Sequence, residues 1–178
     1  MGFFKPISRS ATEVELVSEP FNVVQLLERE PEKFNGSLLS VGEDDLLRVE
    51  QELGVKFPES YRQFFMYSDG GEFVDYRLYL FNLYEFESFN PNPDWSPDLP
   101  GVIFFGSDGG SAVFYFDPEN YLGKGHWAVY SVGRGDCTFE YSRYEASSFS
   151  HLIQRALNGE DLREGPWLKD DGTLPRPD

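Results

Sequence analysis

Two Asp-Gly-Gly turns are the first candidates for chemistry, because the amides of consecutive glycines can cradle an anion. Residues 67–73 read YSDGGEF and residues 105–117 read FGSDGGSAVFYFD. Asp69 and Asp108 place a carboxylate in each turn, which repels phosphate, and neither motif ends in the Gly-Lys-Ser/Thr of a nucleotide-binding loop. We therefore predict that these glycines only turn the chain: Gly70, Gly71, Gly109 and Gly110.

Metal ligation is the second candidate chemistry. Asn90, Asn92 and Asp94 resemble the alternating oxygen ligands that begin a calcium-binding EF-hand loop. The pattern then fails, because Trp95 stands where glycine is required and Gly101 stands where a bidentate acid is required. Two histidines and one cysteine without ligand spacing do not suit zinc either. The sequence predicts no metal and no cofactor.

Nucleophilic catalysis would need Cys137 or a serine together with His126 or His151. His126 precedes a predicted strand and His151 lies early in a predicted helix, so packing or solvent exposure explains both. A cysteine at the start of a strand is more often a small buried residue than a nucleophile. Carboxylate pairs are uninformative among 31 acidic residues. We predict a protein without enzymatic activity.

Three helices are predicted in the first 70 residues. Pro20 begins one that extends to Arg29, with Phe21, Val24 and Leu27 on one side. Ser40 and Glu43 form a capping box for the second, which ends at a left-handed Gly54. Pro58 begins the third, in which Tyr61, Phe64, Phe65 and Ser68 repeat at helical spacing.

Strands dominate the middle of the sequence. FVDYRLYLF, residues 73–81, has the composition of a strand, and four prolines between Asn90 and Gly101 predict a loop. VIFFG and SAVFYFD flank Asp-Gly and predict a hairpin. HWAVYSVG and CTFEYS predict two more strands, and the alternation in residues 138–141 suggests a sheet with one wet face. A last helix is predicted over residues 146–158, ended by Gly159.

This order of elements predicts an α+β fold in which N-terminal helices and a C-terminal helix pack on an antiparallel or mixed sheet. The 178 residues suit one domain with a sizeable core. We expect that core to cover about residues 20–158. Residues 1–18 are expected to form an arm, and residues 160–178 a tail anchored, if at all, by Trp167.

The charge of the chain limits the classes of partner that it can bind. Asp and Glu number 31 against 15 Lys and Arg, a formal charge of −16, so the protein should repel nucleic acid and anionic membranes. No Lys or Arg lies between Arg77 and Lys124, whereas that segment contains seven acids: Glu85, Glu87, Asp94, Asp98, Asp108, Asp117 and Glu119. Folding must either bring bases to these acids or leave a negative field on the surface. A basic partner is the natural complement, and the alternative is that the acidity only keeps the protein soluble.

The sequence also bears on the compartment. With Cys137 alone, no intramolecular disulfide is possible, which suits a reducing environment. Residues 1–10 contain no apolar core of a signal peptide, and no apolar run approaches the roughly 20 residues of a membrane span. We therefore expect a soluble cytoplasmic protein.

Motifs between residues 53 and 117 resemble those of the SUKH superfamily, whose members include bacterial immunity proteins and the Smi/Knr-type regulators of fungal cell-wall synthesis. The matching elements, in order, are Glu52-Leu53-Gly54, Phe57-Pro58 with Tyr61 and Phe64, Gly70-Gly71, Gly106-Ser107-Asp108-Gly109-Gly110, and Tyr115-Phe116-Asp117. The later Ser148-Phe149 also looks similar. The family more often shows Asn at the position of Asp69, and the matching motifs are mostly turns and packing residues.

The resemblance implies an α+β fold and, for bacterial members, binding to a cognate polymorphic toxin, often a nuclease or deaminase. Together with the charge, it predicts a non-enzymatic immunity protein that covers a basic toxin with an acidic face. The predicted contact residues are Asp75, Glu85, Glu87, Asp94 and Asp98 for charge steering, and Tyr84 and Trp95 as aromatic anchors. For Trp95, packing on the core is an equal alternative. For the whole protein, the alternative is an acidic regulatory scaffold of the cell-wall type.

Overall fold

The computed structural model of the chain describes residues 21–73, 77–91, 93–94, 96–163 and 167–168. The helices in these ranges are α1 (Val23–Arg29), α2 (Glu43–Leu53), α3 (Glu59–Tyr67), α4 (Leu83–Phe89) and α5 (Phe149–Leu157). The strands are β1 (Phe34–Gly36), β2 (Gly71–Phe73), β3 (Leu78–Leu80), β4 (Ile103–Ser107), β5 (Ala112–Asp117), β6 (Ala128–Gly133) and β7 (Ser142–Ala146). The α+β prediction is confirmed.

The seven strands form one sheet in the order β1 to β7, so each strand pairs with its neighbours in sequence. Every pairing is antiparallel. Of the two sheet types that the sequence left open, the antiparallel one is therefore observed. β5 sits in the middle of the longest ladders, and all six of its residues are buried.

One side of the sheet packs against α3 and α5 through aromatic rings. Tyr61 of α3 lies 5.1 Å from Phe116 of β5 and 5.0 Å from Phe149 of α5, measured between ring centroids. Phe105 of β4 stacks on Phe116 at 4.1 Å. Aromatic side chains bury large apolar areas and favour these edge-to-face and offset contacts, so this cluster is the centre of the core.

The other side of the sheet is also covered, contrary to the prediction of a wet face. Tyr115 stacks on Tyr130 at 5.4 Å, and its hydroxyl donates to Ser142 Oγ at 2.8 Å. The loops that connect β5 to β6 and β6 to β7 also contribute buried side chains, Leu122 and Cys137. Both faces of the central strands are therefore apolar, which is why β4 and β5 show no alternation in burial.

Two helix starts differ from the predictions. α2 begins at Glu43 with Gly42 as N-cap, so the predicted Ser40 capping box is wrong. The backbone beside Ser40 is instead bound to α3, because Asp69 N donates to Leu39 O and Val41 N donates to Phe65 O, both at 2.8 Å. The first turn of α2 carries the acids Glu43, Asp44 and Asp45, and the left-handed Gly54 is as predicted.

α1 is also shorter than predicted. Asn22 caps it by accepting a hydrogen bond from Gln25 N, so the helix starts at Val23. Its buried side chains are Val23, Leu26 and Leu27, whereas Phe21 precedes the helix and is exposed. Of the predicted inner face, Leu27 is buried as expected, whereas Val24 is only half-buried; Pro20 lies outside the described residues.

Residues 73–81 do not form the single predicted strand. β2 ends at Phe73 and pairs antiparallel with β3, so this stretch contains a hairpin. Sequence reasoning also missed β1 and α4. β1 has only three residues and exists through its pairing with β2, which local sequence does not encode. α4 left a local signal, since Asn82 and Glu85 form a capping box.

The last predicted strand is wrong in position. Thr138 N donates to Asp136 O and Ser142 N donates to Phe139 O, so residues 137–141 turn, and β7 begins only at Ser142. The last predicted helix is confirmed as α5, capped by Ser148. After α5, Trp167 forms an isolated antiparallel β-bridge with Arg143 of β7. The guanidinium of Arg143 lies 3.6 Å from the centroid of the Trp167 indole.

The two Asp-Gly-Gly turns need glycine for different reasons. Gly70 has φ +78°, and a Cβ there would lie 2.7 Å from Asn82 N and 2.8 Å from Leu80 O. Gly71, at φ +149°, leaves room for the ring of Phe34. Gly109 has φ +72° in open space, so only its conformation favours glycine, whereas Gly110 is not at positive φ.

Candidate functional site

α4 presents the predicted residues Tyr84, Glu85 and Glu87. Asn82 Oδ1 accepts a hydrogen bond from Glu85 N at 2.9 Å, and Glu85 Oε2 accepts one from Asn82 N at 3.1 Å, which fixes the start of the helix. Phe86 is buried and anchors α4 to the core. Tyr84 is 81% exposed, and Glu87, three residues later, is exposed on the same side.

One carboxylate binds the hydroxyl of Tyr79, and two more lie near enough for their charges to act on it. Glu85 Oε2 accepts its hydrogen bond at 2.7 Å. Partial burial, this hydrogen bond and the nearby charges of Glu85, Glu72 and Asp69 together raise the pKa of Tyr79 to about 12. Burial is the largest cause, and the three negative charges raise the pKa of Tyr79 in the same direction. We call Asp69, Glu72 and Glu85 the acidic edge.

Asp69 joins the acidic edge to two other elements. Its N–H donates to Leu39 O at 2.8 Å, and its Oδ1 accepts from Leu83 N at 2.7 Å. The first contact ties the segment before α2 to the end of α3, and the second ties the end of α3 to the start of α4. The backbones of three separate elements therefore meet around this carboxylate.

Glu87 continues the negative surface towards α2. Its Oε1 accepts a hydrogen bond from Arg48 at 2.6 Å, and Arg48 also reaches Glu52 at 3.2 Å and Asp45 at 3.8 Å. The hydrogen bonds to Glu87 and then to Glu52 raise the pKa of Arg48. One arginine serves three carboxylates, so the surface between α2 and α4 stays negative.

Other acids of the run between Arg77 and Lys124 serve the fold. Asp108 accepts a hydrogen bond from Arg163 at 2.7 Å, and its side chain is only 6% exposed. Asp117 is buried and accepts from Tyr121 N and Leu122 N at 2.9 and 2.8 Å. Folding thus pairs Asp108 with the distant Arg163 and places backbone N–H donors against Asp117. The seven acids do not form one continuous field.

The remaining predicted contact residues lie on the loop after α4 or outside the described ranges. Asp94 and Asp98 are both exposed. Burial, together with the charge of Asp98, raises the pKa of Cys137 to about 11. Asp75 and Trp95 lie outside the described residues. The fold therefore groups Tyr84, Glu85 and Glu87, while Asp94 and Asp98 belong to the following loop.

Sequence reasoning missed two members of the acidic edge. Asp69 was interpreted only as part of a turn, although it also holds α4 through Leu83 N. Glu72 lies between Gly71 and Phe73 in β2, where the burial alternates and Glu72 is exposed. That alternation was the available signal, because side chains of successive strand residues point to opposite faces.

The groups considered for catalysis have ordinary partners. His126 Nδ1 donates to the carbonyl of Pro118 at 2.8 Å, and His151 Nδ1 shares a hydrogen bond with Ser147 Oγ at 3.2 Å. Cys137 is buried, and its raised pKa keeps the thiol protonated near neutral pH. Over the described part of the chain, no group of three His, Cys, Asp or Glu residues is placed to hold a metal ion.

A cavity of about 310 Å³ lies away from the acidic edge, against β5, β6 and β7. Its wall includes Arg143, Arg163 and the indole of Trp167. Arg143 is stacked on that indole and Arg163 is bound to Asp108. The wall is therefore organised by contacts that hold Arg163 against Asp108 and Trp167 against Arg143 of β7.

Comparison with known proteins identifies one family. The model of the SMI1 / KNR4 family (SUKH-1) matches residues 40–155, which is more than half of the chain. The matched region contains α2 to β7, the acidic edge and most of α5. No curated protein matches the chain. Among the described residues, no helix is both long and apolar enough to cross a membrane.

Proposed function

The chain belongs to the SMI1 / KNR4 family (SUKH-1), and from this premise we propose that it is an immunity protein that neutralises a cognate basic toxin. The toxin is of the nuclease or deaminase type, and an acidic face of this protein covers its surface in the cytoplasm. Membership of the family supports a non-enzymatic immunity or regulator role and the binding of partner proteins. It also confirms the resemblance drawn from the sequence motifs.

The acidic edge beside the exposed Tyr84 is the observation that supports this proposal. Asp69, Glu72 and Glu85 are close enough together to act on one tyrosine hydroxyl. A toxin that cleaves or modifies nucleic acid needs a positive surface to hold its substrate. A concentrated negative surface competes for that region and steers the encounter between the two proteins.

The predicted contact residues take two roles in the proposal. Carboxylates at Asp75, Glu85, Glu87, Asp94 and Asp98 steer the toxin, with Asp69 and Glu72 added to them. Tyr84 and Trp95 are the aromatic anchors. Tyr84 suits this role because an exposed aromatic ring with few rotatable bonds loses little conformational entropy on binding.

Coexpression tests the immunity role. The chain is produced together with the product of the adjacent toxin-like reading frame, and growth and complex formation are measured. We expect rescue of growth and an isolable complex between the two proteins. The complex should weaken as salt concentration rises, because the steering charges are exposed and screened. Absence of both rescue and complex would overturn the proposal.

Matched variants locate the contact within that complex. Glu72→Gln combined with Glu87→Gln should lower the association rate about tenfold, whereas Asp136→Asn with Glu140→Gln, on the connection between β6 and β7, should leave it unchanged. Tyr84→Ala should cost about 2 kcal/mol or more of binding free energy if the ring is an anchor. Equal effects of the two charge pairs would place the contact elsewhere.

An acidic regulatory scaffold is the second candidate, because the superfamily that the motifs resemble includes cell-wall regulators as well as immunity proteins. A scaffold would bind several partners weakly and would not rescue growth from a toxin. One high-affinity, salt-sensitive complex favours the immunity role. Several weak complexes without rescue would favour the scaffold.

A further inference from the structure

Two adjacent leucines before α2 have solvent-exposed side chains. Leu38 is fully exposed and Leu39 is 71% exposed. Single exposed leucines are common on protein surfaces and need no explanation. Two in succession are different, because together they expose a larger apolar area than one leucine, and large exposed apolar areas favour a role in protein contacts.

The segment that contains these leucines is held in place by its backbone. Ser37 N donates to Ser68 Oγ at 2.8 Å, and Leu39 O and Val41 N bind the end of α3, each at 2.8 Å. Hydrogen bonds of the backbone before and after the leucines therefore hold this segment in place. A preformed contact surface loses less conformational entropy on binding than one that must first be ordered.

Further exposed apolar side chains belong to the two other segments that meet at Asp69. Met66 and Tyr67 end α3 and are partly exposed, and Tyr84 begins α4. The hydrogen bonds of Asp69 to Leu39 and Leu83 bring these three segments together. We call Leu38, Leu39, Met66, Tyr67 and Tyr84 the apolar crest. Asp69 belongs to the acidic edge and also binds the backbone of Leu39 and of Leu83. The acidic edge therefore borders the crest.

Charge decides what can cover this crest. A second copy of the chain would bring −16 charges against −16 and place acidic edge near acidic edge, which is repulsive. Nucleic acid and anionic membranes are repelled in the same way. A protein with a basic surface around an apolar hollow complements both the crest and its carboxylates.

We propose that Leu38 and Leu39 are the main apolar anchors of this protein and insert into an apolar hollow ringed by Lys and Arg on its partner. The inference rests on the proposed function and specifies its contact surface. The carboxylates then govern the association rate and its salt dependence. The leucines govern the dissociation rate, because their burial is lost only when the complex opens.

Defined peptides test the crest without the natural partner. The first probe is an amphipathic helical peptide of Leu and Lys at helical spacing. The second has Ser in place of every Leu, and the third has Glu in place of every Lys. Binding of each peptide to the full chain is measured by calorimetry at low and moderate salt. We expect the Leu–Lys peptide to bind more tightly than either of the others.

Substitution of the crest then distinguishes apolar docking from simple charge attraction. Leu38→Ser with Leu39→Ser should weaken binding of the Leu–Lys peptide about tenfold or more, without changing binding of the Ser–Lys peptide. Tyr121→Ser, an exposed aromatic on the loop after β5, is the matched control and should change neither. Equal weakening by the control, or no weakening by the leucine pair, would overturn the inference.

Two more measurements complete the test. Thermal unfolding should be unchanged in the leucine variant, because both side chains are already exposed. Light scattering should give a monomer, whereas a dimer that the leucine variant dissociates would assign the crest to self-association and overturn the inference. If the wild type and the leucine variant rescue growth from the toxin equally well, the crest is rejected and the immunity role is kept. If the chain selects the Leu–Lys peptide but does not rescue growth, the immunity role is rejected and the crest is kept.

Discussion

The guanidinium of Arg62 lies 2.5 Å from the carboxylate of Glu50, and the two side chains are only 10% and 7% exposed. Glu50 also accepts a hydrogen bond from Phe57 N at 2.7 Å, so one carboxylate joins α2, α3 and the turn between them. Loss of this buried pair would remove the ionic contact that joins α2 to α3.

Arg62→Ala should lower the free energy of unfolding by about 3–5 kcal/mol, because Glu50 would remain buried without its partner. Urea unfolding followed by circular dichroism measures the loss. Gln63→Ala is the control, since the half-buried Gln63 donates a hydrogen bond to Glu59 on the same helix, and it should change stability by less than about 0.5 kcal/mol. Similar losses for both variants would contradict the role of the pair.

The two Asp-Gly-Gly turns provide a matched pair of glycine substitutions. Gly109→Ala should cost about 1–2 kcal/mol, since the left-handed conformation is strained but the space is open. Gly70→Ala should cost about 3 kcal/mol or more, because its Cβ would also overlap the backbone of Leu80 and Asn82. Thermal or urea unfolding gives both values. Equal costs would show that the overlap at Gly70 relaxes freely.

Asn90 completes the pairing of β4 with its side chain. Its Nδ2 donates to Phe104 O at 2.8 Å and to Phe86 O at 2.9 Å, and its Oδ1 accepts from Phe104 N at 3.0 Å. Asn90→Ala should destabilise the protein by about 2–4 kcal/mol, because buried backbone groups lose their partners. Ser88→Ala removes an exposed hydroxyl from the same helix and should have little effect on the urea midpoint.

The titration of Tyr79 responds to its burial and to the charges of the acidic edge. Its pKa is raised from 10.0 to about 12 by burial, by Glu85 and by the charges of Glu72 and Asp69. The folded state therefore keeps this proton to higher pH, so its stabilising effect is complete below pH 10.0 and is lost as the pH rises through about 12. Tyr79→Phe should remove that part of the alkaline loss of stability.

Glu72→Gln should lower the pKa of Tyr79 without removing a hydrogen bond, and Glu85→Gln should lower it further. Ultraviolet difference absorbance against Tyr79→Phe isolates this tyrosine from the others. Glu140→Gln, a substitution between β6 and β7, is the control and should leave the pKa of Tyr79 unchanged. An unchanged pKa in Glu72→Gln would mean that this carboxylate does not contribute to the local potential.

Cys137 should react slowly with aromatic disulfide reagents in the native protein. Burial, together with Asp98, raises its pKa to about 11, so little thiolate exists near neutral pH. Reaction should be rapid in urea, where the thiol is exposed. Asp98→Asn should accelerate the native reaction only modestly, because burial is the larger cause. Rapid native reaction coupled to loss of a turnover activity would revive an enzymatic role.

Elements with complete local signals were predictable. The acidic first turn and Gly54 define the two ends of α2, and Pro58 with the spacing of Tyr61 and Phe64 defines α3. The hairpin of β4 and β5 follows from two apolar runs joined through Asp-Gly. In each case neighbouring residues supply both the cap or turn and the apolar pattern, so local physics and tertiary packing agree.

Elements that depend on distant partners were not predictable. β1 is defined by its pairing with β2, and Ser40 lies outside α2 because its neighbours bind α3. Residues 137–141 alternate in the manner of a strand, but the ladder with β6 begins at Ser142. Strand position depends on which backbone groups find partners across the sheet, and composition does not encode that choice.

Composition and motifs alone determined the acidity, the fold class and the family resemblance. The tertiary structure decided which acids remain for a partner: it placed Asp108 against Arg163 and buried Asp117, and it gathered Asp69, Glu72 and Glu85 around Tyr79. It also left Leu38 and Leu39 in solvent beside them. The reason is that charge and hydrophobicity belong to residues, whereas a field or a contact surface depends on the distances between them.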